Sequence, residues 1–477
     1  MKKRIVFVSI FDLTRVYYKI ARSLQQSGHD VYWITTSEVW TNWLLERGVK
    51  QDDILQLIYD RSDFVSDEER KDLADQIAAC ERNTDITVNQ VLMMDRFVLY
   101  KNKPDINEYV YLYYRDIKAF LLDKRVEVVF AEPTNINELL TYMVCRELGI
   151  DFLNACLMRF PPNRMIFCSG FNQSQVVPRA VGKQVSSQQG RALLKEFARS
   201  GSAPFYFVKL NRERVLPPRK VAASVVNRLK LLVLSSRKNL THHDLAERLM
   251  TAIRRIVNGF YLRHISRYSR LDEIDGRLAF YPLHVQPEAS IDVRGSYFSD
   301  QLKLIKDIRR ALPFDVTLVI KEHPNFLGLR GRQFFRAVRR IPSVSIVRHD
   351  VSTFDVYKRA DLVFTVSGTC AYEAGMLGVP AITFAPMYFG GFSSVQLCES
   401  VIELKGIIEN ILNVWQRDYE ADCRFMAELL SSSHEGYWTN PLFDPLVMEA
   451  DNLAALSSAF ARVIDSTRVP VDSERGV

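Results

Sequence analysis

The chain has no GxxxxGK[ST] phosphate loop and no GxGxxG fingerprint. P-loop kinase or NTPase chemistry and an ordinary NAD-binding turn therefore lose support. It also has no HExxH and no CxxC pair, the spacings that gather imidazoles or thiolates around zinc. Its seven cysteines, at 80, 145, 156, 168, 370, 398 and 423, are scattered and odd in number. Reduced thiols in a cytosolic protein are expected from that pattern, not a disulfide framework. No stretch approaches the roughly 20 uninterrupted apolar residues that a bilayer span requires. The opening Met1-Lys2-Lys3-Arg4 before Ile5–Ile10 has the outline of a signal peptide. Asp12 and Arg15 break the apolar run, and no small-residue cleavage site follows, so a first β-strand is expected. The acidic run Asp272-Glu273-Ile274-Asp275 precedes a strand instead of ending one. No metal and no resident cofactor are expected.

What is present is the composition of a folded, soluble protein, 47% hydrophobic and 25% charged. Its 477 residues exceed one ordinary core, so two domains are expected. The net charge of +7 is unevenly placed, because residues 191–270 hold 18 Lys and Arg against 4 Asp and Glu. Apolar residues are interleaved there, including Phe205, Tyr206, Phe207 and Leu231–Leu234. Such a block suits an anionic membrane surface or an anionic polymer, and equally the solvated faces of helices. Nucleic acid is not expected, since no recognised binding motif accompanies the charge.

Apolar runs alternate with helical patterns in two series. The first places strands at Arg4–Ile10, His29–Thr35, Val126–Phe130 and Asp151–Met158, with helices at Thr14–Gln26, Trp40–Glu46 and Glu138–Leu148. The second places strands at Leu278–Val285, Val316–Ile320, Val344–Val347, Leu362–Val366 and Ala381–Phe384. This pattern predicts α/β architecture with right-handed crossovers and parallel sheets. Two Rossmann-like, doubly wound domains facing a cleft are expected. Residues 1–170 form the first domain, 171–274 a basic insertion and connection, 275–420 the second domain, and 421–477 closing helices.

In an open parallel sheet, loops at the carboxyl ends of strands line the ligand site. Two such loops carry the strongest signal. Lys321-Glu322-His323-Pro324 closes one strand, and Ser367-Gly368-Thr369 closes another before a helix containing Glu373. A hydroxyl-rich turn at a helix N-terminus offers N–H donors and a partial positive charge to phosphate. His323 adds a further donor, Gly368 permits close approach, and Glu373 is placed to recognise a ribose. The bland reading of Ser367 and Thr369 is helix capping. Gln286 and Glu288 follow the first strand of the second series and suit substrate binding or plain loop polarity. Lys321 and Glu322 are grouped with them. In the first domain, Glu132 directly follows a buried strand and leads the candidates for a catalytic carboxylate, with Asp12 and Glu138 behind it. Helix capping is the competing reading for all three. Arg159, after a later strand, suits an anionic acceptor or a sugar carboxylate.

At Tyr281–Pro287, Lys321–Pro324, Thr353 and Thr365–Pro380 the chain resembles the bacterial capsule polysaccharide biosynthesis family, which includes retaining Kdo transferases. The likeness spans roughly the second domain. The His-Pro and Ser/Thr pairing also resembles the motifs with which bacterial sialyltransferases of the GT-B fold hold CMP. The resemblance implies a metal-independent GT-B glycosyltransferase of surface polysaccharide synthesis, with a nucleotide sugar, CMP-linked Kdo for example, as cosubstrate. It implies that His323 and Ser367/Thr369 bind the nucleotide phosphate, and Pro324, Gly368 and Glu373 beside them complete the expected nucleotide site. A glycan or lipid-linked acceptor would be met at the cytoplasmic face, peripheral to the inner surface of the plasma membrane. A nucleotide-sugar epimerase or hydrolase on the same fold, and a non-catalytic polysaccharide-handling protein, are the alternatives.

Overall fold

The computed structural model describes residues 2–95, 103–178, 185–200, 245–262 and 267–467. They form two compact units. The described part of the first is 2–95, 103–178 and 432–467, and that of the second is 185–200, 245–262 and 267–431. Among the described residues no helix is long and apolar enough to cross a membrane.

The first unit begins with β1 (Arg4–Val8), β2 (Asp30–Thr35), β3 (Ile54–Gln56), β4 (Val128–Phe130), β5 (Asp151–Leu157), β6 (Arg164–Ser169) and β7 (Gln175–Val176). Across the sheet the order is β6-β5-β4-β1-β2-β3, with β7 beside β6. From β3 to β5 every pairing is parallel; β6 turns back antiparallel to β5. Strands buried on both faces read as continuous apolar runs, and Ile5–Val8 and Val128–Phe130 do so. Helix Leu13–Gln26 follows β1 and buries Leu13, Val16, Tyr17, Ile20 and Leu24, a spacing of three and four that makes one apolar face.

The second unit contains β8 (Arg277–Pro282), β9 (Val316–Lys321), β10 (Val344–Val347), β11 (Leu362–Thr365), β12 (Ala381–Thr383) and β13 (Val395–Leu397). Their order is β10-β9-β8-β11-β12-β13, and every pairing is parallel. Counted within the unit this is 3-2-1-4-5-6, the doubly wound arrangement whose direction reverses between β8 and β11. The first unit reverses between β1 and β4 by the same logic. The α/β class and the two Rossmann-like sheets read from the sequence are thus present.

The chain leaves each unit at points other than 171, 275 and 421. Helix Ser187–Ser200 belongs to the second unit and packs on helix Cys370–Leu377. Helix Tyr419–Ser432 stays there too, burying Cys423, Met426, Ala427 and Leu429. After it, β14 (His434–Glu435) pairs with β6, and Arg164 Nε donates to Ser433 Oγ at 2.6 Å. Helix Ala450–Ser466 then completes the first unit's core, with Phe460 at 4.7 Å from Phe130 and 4.9 Å from Phe167 between ring centres. Apolar faces, not sequence proximity, decide these memberships. Most of the basic block, residues 201–244, lies outside the described residues.

Candidate functional site

At the reversal point of the second unit, the loop after β8 brings His284 against the loop after β11. His284 is buried, and its Nε2 accepts the Val366 N–H at 3.1 Å and lies 3.0 Å from Thr365 Oγ1. Thr365 Oγ1 in turn accepts the Gly368 N–H at 2.9 Å. An Nε2 that accepts leaves the ring proton on Nδ1, so this imidazole is neutral. Burial, helped by the charges of His323 and Arg330, pushes its pKa down to about 3. His284 thus anchors the turn Ser367-Gly368-Thr369 from below. A Cβ on Gly368 would come within 2.4 Å of Thr365 Oγ1 and 3.1 Å of His284 Cε1. Only glycine lets the turn sit that close. Ser367 is buried and its hydroxyl donates to the Ser290 carbonyl, whereas Thr369 is half-exposed and makes no capping hydrogen bond with its side chain. Thr369 is therefore the hydroxyl of this turn most open to a ligand.

At the end of neighbouring β9, consecutive side chains alternate between the two faces of the sheet. Lys321 Nζ donates to Thr353 Oγ1 at 2.7 Å. Burial pulls the Lys321 amine down to about 8, against the opposing pull of Glu373 and Asp350. Glu373 accepts the Tyr357 hydroxyl at 2.9 Å. Glu322 instead pairs with Arg330 at 2.9 Å in a buried ion pair, and Arg330 Nη2 donates to the His284 carbonyl at 2.6 Å. Burial raises the Glu322 carboxyl, while Arg330 and the His323 N–H hold it back. Glu322 therefore braces the loops. His323 is half-exposed beyond it, and Pro324 opens the short turn Pro324–Phe326. Gln286 donates to Asp292 at 2.7 Å and accepts from Gln301 at 3.1 Å, which ties it into its own loop. The exposed Glu288 accepts from the Ser290 hydroxyl at 2.7 Å.

The reversal point of the first unit holds a small pocket. Ser9, Ile10 and Phe11 after β1, Thr36, Ser37 and Trp40 after β2, and Asn135 and Glu138 after β4 line it. Phe11 is held at a φ of 42°, a left-handed conformation that costs a non-glycine residue about 1 kcal/mol or more. Glu138 is buried; it accepts the Asn135 N–H at 2.8 Å and a bond from Asn137 Nδ2 at 2.9 Å. Burial outweighs both bonds and pushes its carboxyl up to about 8. Asn135 Oδ1 and Asn137 Oδ1 are buried and accept no hydrogen bond. An amide oxygen left unpaired in a cavity wall is costly unless a donor arrives. Glu132 and Asp12 flank this site without lining the cavity. Glu132 is half-buried and adds to the burial that raises the Tyr17 phenol. Asp12 pairs with Arg15 at 3.3 Å, and burial raises its carboxyl. Arg159 is half-buried two residues past β5.

Sequence reasoning ranked Glu138 below Glu132, gave His284 no role of its own and did not single out Arg330. The signal for Glu138 was Asn135-x-x-Glu138, which also spells an ordinary helix cap. His284 needed the knowledge that β8 adjoins β11, which alternation along a chain does not supply.

No family model and no curated protein sequence matches the chain. Among solved structures, it is similar to a UDP-GlcNAc 2-epimerase from Methanocaldococcus jannaschii at 15% identity and a TM-score of 0.27, covering 90% of this chain and 98% of that one. It is similar to a β-Kdo 2,7-transferase from Thermosulfurimonas dismutans at 11% identity and a TM-score of 0.32, covering 70% and 89%. A glycosyltransferase from Rickettsia africae aligns at 10% identity and a TM-score of 0.27, covering 98% of each chain. None of the three bears on function, and the fold rests on the strand orders above.

Proposed function

We propose that the chain is a glycosyltransferase that passes a sugar from a nucleotide-activated donor to a hydroxyl of a glycan or lipid-linked glycan. The observation that carries this reading is the cavity of the first unit. An indole, three hydroxyls and an unpaired amide oxygen surround a carboxyl poised near neutral pH. Aromatic faces pack on sugar C–H groups, and hydroxyls and amides pair with sugar O–H groups. A carboxyl whose pKa lies near the working pH serves well as a proton acceptor. The acceptor oxygen bonds the anomeric carbon, the nucleotide leaves on its phosphate, and the proton of that oxygen passes to Glu138.

The second unit holds the donor in this reading. Thr369 and the start of helix Cys370–Leu377 meet the phosphate, and His323 and Lys321 supply positive charge beside it. His284, Glu322 and Arg330 position those loops without touching the ligand. The motif resemblance favours a CMP-linked acidic sugar and surface polysaccharide synthesis. No divalent cation is needed where a helix N-terminus, hydroxyls and cations already balance the phosphate.

The test is chromatographic. CMP-, UDP-, GDP- and CDP-sugars are each incubated with and without glycan acceptors, and released nucleotide is measured. A transferase frees nucleotide only with acceptor and loses that activity in Glu138→Gln. Donor consumed equally without acceptor would identify an epimerase or hydrolase, and donors left intact throughout would identify a glycan-handling protein.

A further inference from the structure

We propose that the second unit docks on an anionic lipid surface through helix Leu245–Phe260 and the arginine ridge beside it. The observation is independent of the reaction proposed above. Ile253, Ile256, Val257 and Phe260 are 46%, 73%, 47% and 60% exposed. Their spacing of three, four and seven residues puts them on one helical face. Scattered exposed apolar residues need no explanation, but four aligned on one helix make a patch that water disfavours.

The helix is fixed from another side. Gly328, at a φ of 87°, lies so close that a Cβ there would stand 2.3 Å from the Arg255 carbonyl oxygen and 2.9 Å from the Gly259 nitrogen. This backbone-to-backbone contact seats the helix on the loop that leads into helix Arg332–Arg339 and leaves the apolar stripe outward. Arg332 at the start of that next helix rests over the Tyr261 ring at 5.6 Å.

Charge selects the occupant. Arg254 and Arg255 are exposed on the same helix as the stripe. From His323 to His349 the sequence holds six arginines and no aspartate or glutamate. Glu322 and Asp350 take Arg330 and Arg348, whereas Arg332, Arg336 and Arg340 stand exposed at four-residue intervals. An apolar stripe with Arg254 and Arg255 on its own helix, and Arg332 over the Tyr261 ring just past its end, matches the boundary between acyl chains and anionic headgroups. Arginine stems reach along apolar surface while their heads stay with phosphate. A protein partner would have to present an acidic groove with an apolar floor; a bilayer leaflet offers both layers at once.

The full-length protein is sedimented with vesicles of phosphatidylcholine alone and of phosphatidylcholine mixed with phosphatidylglycerol, at low and high salt. Binding to the mixed vesicles alone, weakened by salt, is expected. Arg332→Gln/Arg336→Gln/Arg340→Gln should lower the affinity on the order of 100-fold, since each basic residue near such a surface contributes roughly fivefold. Ile256→Ser/Phe260→Ser should remove the binding that survives high salt. All five positions are exposed, so unchanged melting temperatures will confirm folding. Equal binding to both vesicle types, or binding to neither, overturns the proposal. So does a dimer in solution that Ile256→Ser/Phe260→Ser separates, because a second copy would then be the occupant.

Discussion

Replacing Glu138 by Gln should remove a pH dependence from the stability of the first unit. In the folded protein the carboxyl is pushed from its ordinary 4.5 up to about 8 by burial. The unfolded chain therefore gives up this proton first as pH rises, and the folded state is progressively disfavoured between about pH 4.5 and 8. The contribution is fully present below 4.5 and lost as pH climbs through the folded value. Each pH unit in that window costs about 1.4 kcal/mol, so the wild type loses about 3 kcal/mol by pH 7 and about 4–5 kcal/mol by pH 8. Gln cannot ionise, and its amide can donate to the Asn137 oxygen that now lacks a partner. Tryptophan emission suits the measurement, because Trp33, Trp40, Trp43 and Trp438 lie in this unit and Trp415 in the other. Urea midpoints of wild type and Glu138→Gln are compared from pH 5 to pH 8. The variant should gain on the wild type steadily across that range, and taking the difference cancels the titrating groups that do not interact with Glu138. Parallel curves would mean that Glu138 ionises normally in the fold, and its role as a proton acceptor tuned near neutrality would fall.

His284 carries the opposite sign. Its folded pKa is lowered from 6.5 to about 3, so its contribution is lost as pH falls from 6.5 towards 3, and wild type should lose more stability than His284→Ala over that acid range in equilibrium unfolding. At neutral pH His284→Ala should destabilise by about 2–3 kcal/mol, since the buried Val366 N–H and Thr365 hydroxyl lose their partner. Thr369→Ala should weaken nucleotide binding about tenfold by calorimetry while leaving the melting temperature within a degree or so, because the hydroxyl caps nothing; unaltered affinity removes Thr369 from the phosphate site. Gly368→Ala should impair both binding and stability, as its methyl has no room beside Thr365 and His284. Turnover should survive EDTA; complete loss restored by Mg²⁺ or Mn²⁺ would contradict the metal-free account.

Much of this architecture is readable along the chain because parallel strands buried on both faces must be apolar runs, and Val128–Phe130, Val316–Ile320 and Leu362–Thr365 are such runs. Short edge strands such as Gln175–Val176 and His434–Glu435 carry no such signature, since they contribute two residues each to a ladder built by others. The path of the closing helices is fainter in sequence: the packing of Ala450–Ser466 on helix Leu13–Gln26, and of Phe460 on Phe7, Tyr17, Phe130 and Phe167, assigns that helix to the first unit. At the sites, the motif Lys321-Glu322-His323-Pro324 marks the right loop but hides its division of labour. Alternation along β9 sends Lys321 to one face and Glu322 to the other, where Arg330 waits eight residues on. The rank of Glu138 over its neighbours depends on depth of burial, which a capping pattern does not encode.

The most direct test of the central claim is nucleotide release from the panel of activated sugars, measured with acceptor present and absent, in wild type, Thr369→Ala and Glu138→Gln. The account predicts one nucleotide class released by the wild type only when acceptor is added. It predicts a raised donor KM in Thr369→Ala, and near-abolished turnover with donor affinity retained in Glu138→Gln. Release at the same rate without acceptor, or full turnover in Glu138→Gln, would contradict it.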